Sequence, residues 1–371
     1  MVRIAMICVG IVVFLSGCAV QEFGSNLKYN IQGEYYLQEK KYSGGRQAFQ
    51  EALQKDPANA QALYYYGRFL LAEGEAKTAL PYLEKAVTYN PGDSNYHFWL
   101  GTAYGENNLS KKERASYQAA LRLDPQHGLA LTALGNNLLQ AGELDKSYNL
   151  YQRALKIWPD NPQALYNRAV ILRKLNREPE EKLAWRLYLD SYPAGRFASI
   201  ATDRLNSLGD SSYRNYQLGA RTVTLSEIHF VPLSAELSAV SHPSLDLLGA
   251  AVANMKKGKL HVIVYQQNNS RLAKKKAIAI RRHLEKRFPQ LRDQKRIRIS
   301  WFEVPEERTV LGKKLVLNES VQFFLADPGK GKIAGTGELK IVEPAGKVKI
   351  ADAGKGKTGK KPVPQKKSVK K

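Results

Sequence analysis

Few side chains in this chain have the types and spacing that covalent chemistry needs. The six histidines, His97, His127, His229, His242, His261 and His283, are scattered. None stands with another histidine or a carboxylate at metal-ligand spacing. His261 alternates along a strand-like run and reads as structural. No G-x-S-x-G elbow, P-loop or dinucleotide fingerprint is present. Two thiols exist: Cys8 inside an apolar run and Cys18 just after it. The expectation is a binding protein and not an enzyme, with no cofactor and no metal. Any function must then come from how the elements present polar and aromatic groups to a partner.

Those elements are announced by prolines at Pro57, Pro91, Pro125, Pro159 and Pro193, each 34 residues after the last. A fixed period of this length marks a helical repeat array. Apolar residues recur at set offsets, as in Leu63, Gly67, Leu70, Ala79, Leu83 and Ala86, then Leu131, Leu134, Gly135, Leu138, Tyr151 and Ala154. Spacings of three and four give one stripe per helix, and proline after the second helix ends it. The pattern over about residues 26–193 resembles the tetratricopeptide (TPR) family, with its W-x2-L-G-x2-Y…A-x3-F-x2-A…P skeleton. Gly45, Glu113, Ser147 and Glu181 stand where that family has a small alanine. Residues 196–208, with Phe197, Ile200, Ala201, Leu205 and Leu208 in helical register, read as a capping helix.

The resemblance implies a concave groove lined by the first helix of each pair. Carried onto this chain, its positions are Gln61, Tyr64, Arg68, Asn95, Phe98, Thr102, Thr132, Asn136, Gln140, Tyr166 and Arg173. Aromatics with amides and arginines suit an extended peptide backbone. Tyr64 and Phe98 could instead pack only between helices. Substituting Arg68 or Asn136 is expected to reduce partner recovery without moving the melting curve. The Lys and Asn pattern of the two-carboxylate clamp is not visible.

Arg3 is followed by a twelve-residue apolar run, Ile4 to Leu15, which is short for a membrane span and fits a signal-peptide core. The following LSGC resembles the bacterial lipobox. That resemblance implies cleavage before Cys18, acylation of Cys18, and anchoring on the outer membrane facing the periplasm, since Ala19 and not Asp follows the cysteine. The alternatives are an ordinary secretory signal or an uncleaved anchor. With Cys8 removed, Cys18 alone remains, which leaves no intrachain disulfide.

The formal net charge of +23 is unevenly placed. Residues 256–314 hold 18 Lys/Arg against 5 Asp/Glu, and residues 345–371 hold 10 Lys against one Asp. The array is near neutral. Strand-like runs at 222–231, 260–265, 297–304 and 320–325 and helical spacing at 244–256 and 272–288 give an α+β order. IHFVPLSAEL, LDLLGAAV, LHVIVYQQN, LAKKKAIAIRRHL and NESVQF resemble the OmpA-like peptidoglycan-binding domain over residues 225–325. In that family an Asp and an Arg grip the stem peptide. Here the positions carry Asn268 and Lys276, so the usual grip is lost, and a contact of Lys276 with a carboxylate is what remains.

The chain therefore divides into a signal peptide (1–17), a lipidated linker (18–25), a TPR α-solenoid of five hairpins with its capping helix (26–209), a degenerate OmpA-like α+β sandwich domain (213–343) and a disordered Lys-rich tail (344–371). Its expected role is an outer-membrane lipoprotein scaffold in the periplasm. It would bind envelope proteins through the groove, as in assembly of a pilus or secretion complex. A second class is a wall-tethering protein that docks on peptidoglycan or anionic lipid through its basic C-terminal half. A solvated basic face without a partner is the plain alternative. Nucleic acid is not an expected partner.

Overall fold

The computed structural model describes residues 26–326 except positions 220, 256, 311 and 312. The expected signal peptide, Cys18, the linker, residues 327–343 and the Lys-rich tail lie outside the described residues.

Residues 26–209 form helix hairpins. The first pair is α1 (residues 26–38) with α2 (Tyr42–Lys55). Next come α3 (Ala60–Ala72) with α4 (Ala76–Tyr89), α5 (Ser94–Glu106) with α6 (Ser110–Leu123), α7 (Gly128–Gln140) with α8 (Leu144–Ile157), and α9 (Pro162–Lys174) with α10 (Glu178–Ser191). A last helix, α11 (Arg196–Ser207), packs on α10.

The period is enforced locally at both ends of the first helices. Two residues after each of four repeat prolines stands an N-cap: Asn59, Asp93, His127 and Asn161. Each side chain accepts an amide N–H of the first turn, which would otherwise lack a partner. At the turn into each second helix one residue takes a left-handed conformation: Lys40, Gly74, Asn108, Gly142 and Asn176, again 34 apart. Glycine and asparagine tolerate that region best.

Close approach explains the small residues. A Cβ on Gly67 would meet Leu83 at 2.6 Å, and one on Gly135 would meet Tyr151 at 2.9 Å. The four departures from alanine each meet a specific neighbour. Gly45 lies under the Phe69 ring, Glu113 accepts from Asn137 Nδ2 at 2.8 Å, and Ser147 Oγ donates to the Gly135 carbonyl at 2.7 Å. Glu181, buried, accepts from both Nε and Nη2 of Arg204 on α11 at 2.6 and 2.9 Å, and from Trp185 Nε1.

Residues 213–326 form an α+β unit. A three-stranded sheet has the order β4 (Ile297–Phe302), β3 (Lys259–Gln266), β7 (Glu319–Ala326). Strand β3 runs parallel to β4 and antiparallel to β7. Helices α12 (His242–Ala253), α13 (Ser270–Arg287) and the short α14 (Pro289–Asp293) join these strands. The core takes Leu260, Val262 and Val264 from β3 with Leu245, Ala277, Ile280, Leu284 and Phe323.

Three expectations change here. The run 222–231 is a strand only to Ser226: β2 (Arg221–Ser226) pairs with β1 (Tyr213–Leu218), and Phe230 keeps one bridge to Leu237. The cause is competition, because Ser244 Oγ takes the Ser226 N–H and Ser241 Oγ takes the His229 N–H. The hairpin β5 (Glu306–Val310) and β6 (Lys313–Leu317) is the second difference, built from charged sequence with weak alternation. Third, Phe197 and Ile200 are exposed on α11, and Ala198, Ala201 and Leu205 are its buried face.

The array and the α+β unit meet through α11. Asn206 Nδ2 donates to the Tyr213 carbonyl at 2.7 Å, Asn215 Nδ2 to the Ser199 carbonyl at 2.9 Å, and the Tyr213 hydroxyl to Asp190 at 2.6 Å.

Candidate functional site

Helix α3 meets α5 and α7 meets α9, and His127 at the start of α7 meets Asn95 and Phe98 of α5. The sequence-predicted residues separate on these helices into two groups.

The first group is engaged within the array. Tyr64 is buried and stacks on Tyr96, ring centroids 4.6 Å apart. Phe98 is buried between Trp99, Tyr117 and His127. Both rings are spent in packing, which removes them from the contact surface. Arg68 lies over the Trp99 ring at 4.5 Å and donates to Glu34 at 2.7 Å and to the Tyr64 hydroxyl at 3.0 Å. Gln61 accepts the Tyr96 hydroxyl at 2.6 Å and donates to Asn30. Thr132 is buried and accepts from Asn161 at 3.2 Å. Asn136 Oδ1 accepts from Asn167 at 3.0 Å and from the Tyr151 hydroxyl. Thr102 Oγ1 turns back onto the Phe98 carbonyl at 3.1 Å. The bonds of Gln61, Arg68 to Glu34, Thr132 and Asn136 to Asn167 join one repeat to the next, and the rest lie within a repeat.

The second group is open. Gln140 and Arg173 are exposed, while Asn95, also exposed, meets His127 Nε2 through its Oδ1 at 3.2 Å and so belongs in part to the first group. Tyr166 is partly buried, edge-on to Trp185, Tyr188 and Phe197. Phe197 is 57% exposed and its ring centroid lies 5.0 Å from that of Tyr166. Burial raises the Tyr166 phenol above its ordinary value, and the charges of Arg173 and Arg196 oppose this. The cap end of the face therefore combines an exposed aromatic, a half-covered phenol and two guanidiniums. Such a set suits an acidic, apolar protein segment.

Sequence reasoning missed Phe197, Trp99, Glu34 and His127. Trp99 could have been found by register, because it lies 34 residues after the buried Tyr65. Phe197 carried no such signal, since α11 has no earlier copy to align with.

In the α+β unit, Asn268 is a left-handed turn residue whose N–H bonds the Glu303 carbonyl at 2.9 Å. Lys276 is buried; its Nζ meets Glu319 Oε1 at 2.6 Å and Gln266 Oε1 at 2.7 Å and lies over the Phe230 ring. Its charge is matched internally, so the expected open contact between Lys276 and an external carboxylate is corrected. The open cations are elsewhere on α13: Arg271, Lys274, Lys275, Arg282 and Lys286 are exposed. No group of three or more metal-ligating side chains occurs among the described residues.

Family models described as tetratricopeptide repeat match residues 36–98 and 70–128, and one described as TPR repeat matches residues 135–176. TPR repeats therefore account for residues 36–128 and 135–176 of the array. Among curated proteins, the chain is 30% identical over 152 residues to the mouse (Mus musculus) protein O-mannosyl-transferase TMTC3, covering 37% of this chain and 16% of that one. It is 28% identical over 138 residues to a TPR repeat-containing protein of Dictyostelium discoideum, covering 35% and 52%. The chain spans about one sixth of the first relative's length. Among solved structures it is similar to Pseudomonas aeruginosa pilF, with 18% identity, TM-score 0.47, and coverage of 51% of this chain and 86% of that one. It is also similar to YrrB, described as a TPR protein with an unusual peptide-binding site, with 20% identity, TM-score 0.40, and coverage of 46% and 88%.

Proposed function

We propose that the chain is a periplasmic scaffold, anchored to the outer membrane through acylated Cys18, that gathers envelope proteins on the face of its first helices. The observation that supports this most is the cluster at the cap end, exposed Arg173, Arg196 and Phe197 around the half-buried Tyr166, beside a face where Arg68, Gln61, Thr132 and Asn136 are already bonded within the array. A bonded frame with one open aromatic and cationic end is pre-organised, which lowers the ordering cost of binding. Assembly of a pilus or secretion complex is the process we assign to it.

Crosslinking in cells followed by mass spectrometry identifies the partner. Recovery of that partner should fall in Arg173→Ala and in Phe197→Ala with an unchanged melting curve. Equal recovery in both variants rejects this face. Cys18→Ser should release the protein into the soluble periplasmic fraction, and unchanged membrane fractionation rejects the anchor.

A second reading is favoured by the exposed lysines and arginines of α13. In it the α+β unit, a degenerate OmpA-like domain, tethers the chain to peptidoglycan. The full chain should then co-sediment with purified sacculi at moderate salt. Retention that salt abolishes would mark a charge attraction without specific tethering.

A further inference from the structure

Away from the array, the α+β unit contains a buried ionic cluster around one carboxylate. Arg214 on β1 has a side chain 4% exposed and donates from Nη1 to Glu306 Oε2 at 2.9 Å. Glu306 opens β5 and is 1% exposed. Its second oxygen, Oε1, accepts from Gln322 Nε2 and lies 3.5 Å from Arg308 Nε. One carboxylate thus serves two guanidiniums and an amide. Arg214 Nη2, Arg308 Nη1 and Ser320 Oγ are buried with no hydrogen-bond partner among the described residues. The neighbouring acids do not relieve this. Glu307 pairs with Lys314 and Glu319 with Lys276, and Glu227 makes no ion pair with Arg214 among the described residues.

A buried guanidinium N–H without an acceptor is costly, and natural proteins fill such positions with a ligand or a water. Two guanidiniums share one hydrogen-bonded carboxylate, and Glu227 adds its charge near Arg214 without accepting a bond from it, so the donors stay unfilled. The Arg308 side chain is 26% exposed, so the cluster reaches solvent on that side. Guanidinium forks suit planar or tetrahedral oxyanions. We propose that Arg214 and Arg308 hold a small oxyanion, a carboxylate or a phosphate group, on the N–H groups that Glu306 leaves open. Arg308 is the entry-side contact, Arg214 the deep one, and Ser320 Oγ a third donor. This site is separate from the face of the first helices and does not depend on its reading.

The test is a thermal-shift and calorimetric titration of the full chain with inorganic phosphate and with acetate, each against sodium chloride at matched ionic strength. At least one of them should raise the melting temperature saturably. Phosphate alone assigns a phosphate ligand, acetate alone a carboxylate, and both a general oxyanion site. Arg308→Gln should weaken the affinity by about tenfold to a hundredfold, the loss of one charge-assisted hydrogen bond. Its near-ultraviolet circular dichroism should match the parent. If it does not, Arg308→Lys keeps the charge without the fork and should still weaken binding. Arg282→Gln, on the exposed face of α13, should leave the response intact. No rise beyond chloride, an equal rise in Arg308→Gln, or an equal loss in Arg282→Gln overturns the proposal and leaves water on those donors.

Discussion

The Glu181 carboxylate receives the Arg204 guanidinium on both oxygens, Nε to Oε1 at 2.6 Å and Nη2 to Oε2 at 2.9 Å. The pair joins the last repeat to the helix that closes the array. Glu113 occupies the same repeat position inside the array and accepts from Asn137, whereas Glu181 turns that position to the helix that closes the array.

Glu181→Ala should strip the buried acceptor from Arg204 and from Trp185 Nε1. Breaking a buried pair from one side costs about 3 kcal/mol. Urea unfolding should show that loss, and hydrogen exchange should place it in α10 and α11. An effect confined to α1–α4 would contradict this account.

Arg68→Ala should behave as a packing change. It removes the contact over Trp99 and the bonds to Glu34 and Tyr64. A loss of about 1–2 kcal/mol is expected, from one partly desolvated cation–π contact and one charged hydrogen bond. This reverses the sequence-based expectation of an unchanged melting curve, and a thermal scan decides between the two.

Asn161→Ala should cost about 1 kcal/mol as a lost N-cap, with a smaller addition for the bond it donates to Thr132, whose hydroxyl keeps the Gly128 carbonyl. Asn161→Asp keeps the acceptor and should be milder. The midpoint of denaturant unfolding measures both.

His127 predicts a pH dependence. Burial pushes its imidazole below the usual 6.5, so that its neutral Nδ1 can accept the Ala130 N–H. The unfolded chain takes up the proton more readily than the folded one. Stability from this group is therefore complete above about pH 6.5 and is lost as pH falls from there towards the folded value. His261, also held down by burial and by Arg298 and Lys259, adds the same sign. His127→Asn should flatten the stability profile between pH 7.5 and 5.5, as read by thermal melts. An unchanged slope would count against the cap.

The period, the hairpins and the small-residue contacts were legible because one signal repeats. Pro57 and its copies fix where each cap falls, two residues later, and Gly67 and its copies fix where helices touch. The α+β unit has no second copy to average against. Its strand at 222–231 looked long because alternation alone was visible, while the serines at Ser241 and Ser244 that take its backbone lie a dozen or more residues away. Lys276 read as an open charge because Glu319, its partner, comes 43 residues later, on the last strand of the sheet. Register names residues on the first helices, but it does not say which of those side chains hold each other. Arg68 and Arg173 are both groove arginines by the resemblance, at different positions of their helices, and only packing separates the engaged one from the open one.

Helix α11 has hands on both halves: Arg204 grips the final repeat while Asn206 and the Ser199 carbonyl grip the first strand beyond it. A load applied to the superhelix therefore reaches the first strand through α11, with the Tyr213 hydroxyl on Asp190 of α10 as a second tie. Whatever twists the docking face will tug on the basic module, and the two cannot be severed at residue 213 without leaving torn ends on each side.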